Sequence, residues 1–131
     1  MTQEDKELLL TDLCARLQYK PKALINGHLA TILGIDENVI IVCIYGNDYK
    51  YEIVVSIDNS DDVKLYLRPK SSMTEEEKEE YLKLGDSYYG IYFDSINSID
   101  WLNAHHFDYR KLIKRGLAIE VTEENNPYEL D

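Results

Sequence analysis

The sequence lacks the short motifs that mark the commonest catalytic sites. It has no Gly-x-Ser-x-Gly nucleophile elbow, no glycine-rich phosphate loop, no His-Glu-x-x-His and no Cys-x-x-Cys. Its two cysteines, Cys14 and Cys43, each lie within an apolar pattern, which favours a buried free thiol over a metal ligand or a disulfide. The sequence therefore favours a non-enzymatic protein, with no catalytic residue, no metal and no cofactor.

The sequence also lacks a long apolar run and has little positive charge. No run approaches the roughly 18 residues of a membrane span, and the N-terminus reads Thr2-Gln-Glu-Asp where a signal peptide would be basic. We therefore expect a cytoplasmic protein. The chain has 14 Lys and Arg against 25 Asp and Glu, a net charge of −11, which argues against direct binding of nucleic acid or anionic membrane. A basic protein is the partner that this charge favours.

What the sequence does contain predicts one compact domain of the α+β class. A length of 131 residues, of which 44% are hydrophobic, is enough to bury a single core over residues 1–121. Residues 122–131 read as an acidic tail, which we expect to fray. Leucines on one side of residues 3–17 predict an amphipathic N-terminal helix, with Thr2 and Asp5 as a weak capping box.

Between about residues 20 and 70 the pattern changes to short strands separated by polar turns. The predicted strands are 22–25, 28–35, 39–45, 49–57 and 64–68. The turn-forming segments between them are 26–27, 34–38, 46–48 and 58–62. Five antiparallel strands at this spacing predict a small SH3-like barrel, or alternatively a curved meander.

From residue 71 to about 116 the sequence predicts a helical part, with an extended segment continuing it to residue 121. Thr74 and Glu77 form a capping box that opens a helix to about Leu84, and a loop follows. Ser98 is predicted to cap a helix over 99–106, and Asp108 a last short helix through Lys114.

Within this part, the stretch from Trp101 to Ile113 combines aromatic, histidine and basic residues in an otherwise acidic protein. Trp101, Tyr109 and Arg110 are of the types that dominate binding hot spots, although such aromatics also pack small cores. His105 and His106 are adjacent, and neighbouring helix positions point about 100° apart, which is poor geometry for a metal.

The run from Glu75 to Glu80 has two interpretations. It is either a solvated helix face or an anionic surface that imitates nucleic acid and occupies the groove of a basic protein. Residues of this run and of the stretch from Trp101 to Ile113 together form the predicted partner-binding set. Its members are Glu75, Glu76, Glu79, Glu80, Trp101, His105, His106, Tyr109 and Arg110.

Three segments carry a resemblance to a known kind of protein. They are Met1–Leu17, Tyr66–Glu77 and Trp101–Arg110, about a third of the chain. In these strings the chain resembles uncharacterised small acidic proteins from prophages and mobile elements of gut anaerobic bacteria. The resemblance implies a phage or mobile-element context, and it implies no activity, cofactor or catalytic residue.

The leading functional hypothesis is therefore a non-enzymatic protein-binding module, and more specifically an acidic inhibitor or nucleic-acid mimic that acts on a host protein. The competing hypothesis is a small-ligand binder or enzyme with a pocket formed by His105, His106, Asp108 and Tyr109, since a histidine between a carboxylate and a phenol can act as a general base. A self-associating accessory subunit is a third alternative.

Overall fold

The computed structural model describes residues 2–37, 39–45, 50–56 and 63–129 of the chain. The predicted turns at 46–48 and 58–62 lie outside the described residues, as do the last two positions of the tail. The described part has an α+β architecture that consists of an N-terminal helix, a mixed sheet and two further helices.

The elements follow one another along the chain with short connections. The helices are α1 (Gln3–Arg16), α2 (Glu75–Leu84) and α3 (Ile96–Ala104). The strands are β1 (Lys22–Ile25), β2 (His28–Asp36), β3 (Val39–Tyr45), β4 (Lys50–Ser56), β5 (Val63–Pro69), β6 (Asp86–Tyr88), β7 (Ile91–Phe93), β8 (Phe107–Asp108) and β9 (Ala118–Glu120).

Helix α1 begins as the sequence predicted. The Thr2 hydroxyl accepts a hydrogen bond from the Asp5 N–H at 3.0 Å, which satisfies one of the free donors of the first turn. The helix ends through a short 3-10 turn at Leu17–Tyr19, after which Lys20 adopts a left-handed backbone and Pro21 prevents continuation.

The predicted SH3-like barrel is wrong, because the sheet does not close. Strands β1 to β4 form an antiparallel meander, and β5 pairs antiparallel with β1, which gives the order β4-β3-β2-β1-β5. Strand β5 then pairs in parallel with β8 and β9 and does not return to β4. Within the described residues the sheet therefore has seven strands and is mixed and open.

The main core lies between α1 and this sheet. Leu9 and Leu13 of α1 are fully buried, and the segment after β8 contributes Leu112 and Leu117. The buried hydrophobic residues that the strands contribute to this core are Ala23, Ile25, Ala30, Ile32, Ile40, Val42, Ile44, Val63, Leu65, Leu67 and Ala118. Apolar residues thus alternate with partly exposed ones along β1 and β5, as expected for strands with one buried face.

The C-terminal part differs from the predicted helical part in three places. The segment expected to be a loop contains the hairpin β6–β7. Helix α3 is capped by Ser95 and not by Ser98, because the Ser98 side chain instead closes a reciprocal box onto the Ser95 N–H at 2.6 Å. The predicted helix from Asp108 through Lys114 is wrong, because the Asp108 carboxylate accepts from the N–H groups of Leu112 and Ile113 at 3.0 Å and stabilises a series of turns.

We expected residues 122–131 to fray, but the segment 122–129, which we call the C-terminal strap, is bound to the sheet. Leu65 pairs with both β1 and β9, so these strands lie on opposite edges of β5. Beyond the start of β1, the Tyr128 hydroxyl accepts from the Lys22 N–H at 3.0 Å and donates to the Tyr66 carbonyl at 2.8 Å. The strap therefore fills the gap where β1 and β5 would otherwise form their next hydrogen bond.

Replacing Tyr128 with phenylalanine tests this role of the hydroxyl. The variant keeps the ring but leaves the Lys22 N–H and the Tyr66 carbonyl without the bridge, and the free energy of unfolding is expected to fall by about 1–3 kcal/mol. Urea unfolding monitored by circular dichroism measures the change. The exposed Tyr89 offers a matched Tyr→Phe control that should change stability by less than about 0.5 kcal/mol. Equal effects at the two positions would contradict the proposed bridge.

Candidate functional site

Helix α2 displays acids that the fold does not use. Glu75, Glu76 and Glu79 are exposed, and none of their side chains makes an ion pair or hydrogen bond within the described part of the chain. Glu80 is also exposed and accepts a hydrogen bond from the Trp101 indole N–H at 3.2 Å. Positions 75 and 79, and likewise 76 and 80, are four apart, so the four carboxylates form two neighbouring rows on one side of the helix.

Glu77 differs from these acids because it holds the helix in place. Its carboxylate accepts two hydrogen bonds from the Arg68 guanidinium, at 2.7 and 2.8 Å, and a third from the Thr74 N–H as part of the predicted capping box. Hydrogen bonding from Arg68 lowers the pKa of Glu77 to about 2, against the opposing effect of partial burial. Glu77 therefore stays ionised and fixes the start of α2 against β5.

Trp101 and His105 belong to an aromatic cluster and are half-buried. The Trp101 ring stacks with the His105 ring and with the Phe107 ring, at 4.1 and 5.6 Å between centroids. The His105 Nδ1 lies 2.9 Å from the Trp101 carbonyl oxygen. Phe107 is fully buried, so this stack joins α3 to the interior of the C-terminal part.

His106 faces in a different direction from His105. Its ring stacks on Tyr128 with 3.6 Å between centroids, and its Nδ1 is buried with no hydrogen-bond partner. Burial, and then the nearby positive charge of Arg16, lower the pKa of His106 to about 4. His106 is therefore a neutral side chain at physiological pH and is covered by the C-terminal strap.

Tyr109 and Arg110 are bound within the protein. The Tyr109 hydroxyl donates to the Asn103 amide oxygen at 2.8 Å, and the Arg110 guanidinium donates to the Asp12 carboxylate at 2.9 Å. The same carboxylate accepts from Arg16 Nε at 2.7 Å, and both Asp12 and Arg16 are fully buried. Tyr109 and Arg110, two of the three residues predicted as partner anchors, therefore contribute first to packing and to a buried ion cluster.

The four residues of the alternative pocket do not converge. His105 stacks on Trp101, His106 on Tyr128, and the Asp108 carboxylate caps the turns that follow it. Two surface cavities, of about 520 and 310 Å³, are lined by other residues. Among the described residues, no three His, Cys, Asp or Glu side chains are grouped closely enough to hold a metal ion. The arrangement of these four side chains therefore does not support the alternative pocket as a site of proton transfer.

Several cations, unlike Glu75, Glu76 and Glu79 of α2, are engaged by the fold. The basic side chains that contact acids or other oxygen acceptors inside the protein are Arg16, Lys64, Arg68, Lys70, Arg110 and Arg115. Lys78 and Lys83 remain exposed on α2 itself. The charge presented by residues 71–108, nine acids against two bases, is therefore strongly negative.

The hairpin β6–β7 is a surface feature that the residue pattern did not single out. Tyr88, Ile91 and Phe93 are 66%, 59% and 50% exposed, whereas Tyr92 packs against Tyr81 with 5.4 Å between ring centroids. A signal for the hairpin is present in the sequence, because Gly90 between two short β-prone segments is typical of a tight turn. The pairing of the two strands places Tyr88, Ile91 and Phe93 in solvent and packs Tyr92 against the protein.

No family model, no curated protein and no solved structure matches this chain. In the part of the chain that the structure describes, none of the helices has the length and apolar character needed to cross a membrane.

Proposed function

We propose that the protein is a non-enzymatic, cytoplasmic binding module of a phage or mobile element that acts by contacting a basic host protein. The acidic surface of residues 71–108 makes the contact. In the more specific form of the proposal, the protein is an inhibitor that occupies a basic surface which its target otherwise offers to nucleic acid.

One observation carries this proposal: the exposed acids of α2 have few partners within the described part of the fold, whereas Arg68 and Arg110 are already paired with other acids. Glu75, Glu76 and Glu79 are free within the described residues, but Arg68 and Arg110 are paired with Glu77 and Asp12. Glu75 and Glu76 lie in the first turn of α2, where the helix dipole favours negative charge, but no cation pairs with them or with Glu79 within the described residues. In a chain of net charge −11 these acids add to the self-repulsion. A basic partner that covers this surface would neutralise the repulsion.

The mechanism is electrostatic steering followed by occlusion. Opposite charge speeds the encounter of the two proteins and fixes their orientation, and the bound module then blocks access to the target surface. Because the acids are solvent-exposed, added salt screens their attraction and should weaken the complex strongly.

Charge reversal on α2 tests the proposal. Changing Glu75, Glu76, Glu79 and Glu80 to Lys moves the net charge from −11 to −3, since each exchange adds two positive charges. Recovery of a basic partner from lysate of the source cell is expected to fall at least about tenfold, with steep salt dependence in the wild type. Quantitative mass spectrometry of the captured proteins measures the loss.

A matched control separates surface position from total charge. Asp36, Glu37, Glu123 and Glu124 are exposed acids outside residues 71–108, and their change to Lys produces the same net charge of −3. This variant should retain the partner. If both variants lose it equally, only total charge matters; if neither does, the acidic surface of α2 is not the contact.

A further inference from the structure

The hairpin β6–β7 has two chemically distinct faces. Ser87 lies opposite Tyr92, while Tyr88 lies opposite Ile91 and Asp86 opposite Phe93. Since cross-strand neighbours share a face and successive residues alternate, Tyr88, Ile91 and Phe93 lie on one face and Tyr92 on the other. The Tyr92 face packs on Tyr81, so the apolar face points away from the protein.

This apolar face lies in a stretch of chain with unusually exposed hydrophobic residues. In the described part, six of the eight exposed large hydrophobic side chains fall between residues 82 and 96; the six are Leu82, Tyr88, Tyr89, Ile91, Phe93 and Ile96. Single exposed apolar side chains are ordinary, but Tyr88, Ile91 and Phe93 share one face, and a contiguous exposed apolar patch is typical of an interaction surface.

Hydrogen bonds and close packing also fix the hairpin to the rest of the protein, which suits a binding element. The Tyr92 hydroxyl donates to the Tyr81 carbonyl at 3.3 Å, and the Tyr81 hydroxyl donates to Asp94 at 2.5 Å. A side chain at Gly85 would overlap the Tyr92 ring, so the glycine permits this close approach. A preformed element loses little conformational entropy when a partner covers it.

Charge identifies the partner that would cover this face. Asp86 lies on the face itself, Asp94 and Asp100 are exposed nearby in sequence, and the acids of α2 precede the hairpin. Two copies meeting here would bring like charges together, which opposes self-association. A basic protein with an apolar groove meets both the charge and the hydrophobic surface.

We infer that the Tyr88, Ile91 and Phe93 face of the hairpin is the apolar anchor that inserts into a groove of the basic partner. This inference rests on the proposed function and adds the element that determines the lifetime of the complex. Aromatic anchors at the centre of an interface commonly dominate its binding free energy, whereas charges at the rim mainly affect the association rate.

The test uses two synthetic peptides of equal length and equal positive charge as probes. One is an amphipathic peptide of Leu and Lys, and the other replaces every Leu with Ser. The variant carries Tyr88→Thr, Ile91→Thr and Phe93→Thr, which keeps strand propensity at exposed positions. Its matched control carries Leu33→Thr and Val54→Thr, exposed apolar residues of β2 and β4.

The Leu/Lys peptide is expected to bind the wild type and the control at least about tenfold more tightly than the hairpin variant, and to shift the amide NMR signals of 86–93. The Ser/Lys peptide should bind all three equally and weakly. Equal binding of the Leu/Lys peptide to the hairpin variant and the wild type would overturn the anchor while leaving the acidic surface intact. A second outcome would also overturn the anchor. In it, the Glu→Lys changes on α2 abolish the binding of both peptides, whereas the Thr changes in the hairpin leave the binding of both unchanged.

Failure of the proposed function itself has a different signature, namely unchanged binding of both peptides after charge reversal on α2. Sedimentation velocity of the wild type tests whether a second copy of the protein, and not a basic partner, covers the apolar face. A dimer that the Thr variant abolishes would show that a second copy covers the face, and would overturn the choice of a basic partner.

Discussion

Replacing Asp12 with alanine is expected to lower the free energy of unfolding by about 3–5 kcal/mol. The Asp12 carboxylate accepts hydrogen bonds from Arg16 at 2.7 Å and from Arg110 at 2.9 Å, and the side chains of Asp12 and Arg16 have no exposed surface. Alanine would leave the Arg16 charge buried without its counter-ion, which is among the most destabilising changes a single substitution makes. Urea unfolding of the variant measures the loss.

Two controls identify the buried charge as the cause. Arg115 makes ion pairs of 3.3 Å with Glu4 and Asp5 at the surface, so Arg115→Met should change stability by at most about 1 kcal/mol. The double variant Asp12→Leu, Arg16→Met removes both buried charges and should be more stable than Asp12→Ala. A loss at Asp12 no larger than that at Arg115 would show that the cluster contributes no more than a surface pair.

This cluster also joins the two halves of the chain. Besides its bond to Asp12, Arg16 donates from Nη2 to the Phe107 carbonyl at 2.6 Å, so α1 is tied directly to β8. Phe107 in turn packs against Trp101 of α3. Disruption of Asp12 is therefore expected to loosen the part of the protein that carries the acidic surface and the hairpin, in addition to the main core.

The parts of the fold predicted best from sequence are those determined by neighbouring residues. The Thr74 and Glu77 capping box involves four consecutive positions, and the structure has both of its hydrogen bonds. Whether the sheet closes into a barrel depends instead on which distant segment pairs with the edge of β5. Phe107 and Ala118 occupy that role from about 40 and 50 positions away, and strand patterns contain no information about such pairings.

The same distinction explains the candidate site. Arg110 has the chemistry of a binding anchor, but its partner Asp12 lies 98 positions earlier, so the sequence could not show that the charge is already paired. Tyr88 and Tyr92 are the same residue type four positions apart, and only the pairing of β6 with β7 places them on opposite faces. The exposure of the α2 acids was easier to anticipate, because a run of glutamates cannot be buried without partners.

His106 is expected to make the protein less stable as the pH falls from about 6.5 to about 4. Burial, and then the Arg16 charge, hold its pKa near 4 in the folded protein, against an ordinary value of 6.5. Between these values the unfolded chain binds a proton that the folded protein does not, so stability decreases with falling pH and levels off below the lower value. At about 1.4 kcal/mol per pKa unit, the loss is at most about 3.5 kcal/mol.

The comparison that isolates His106 is with His106→Asn. Residue 106 has a φ of 64°, a left-handed conformation that asparagine tolerates well, and the amide does not titrate. Urea unfolding of both proteins at closely spaced pH values should show a difference in stability that changes steadily between pH 6.5 and 4 and is constant above that window. Glu77 provides an internal reference, because its lowered pKa contributes stability that is lost only as the pH falls from 4.5 towards 2, in both proteins alike. Parallel pH profiles between 6.5 and 4 would mean that His106 takes up its proton as readily in the folded protein as in the unfolded chain, and that the strap does not keep the ring neutral.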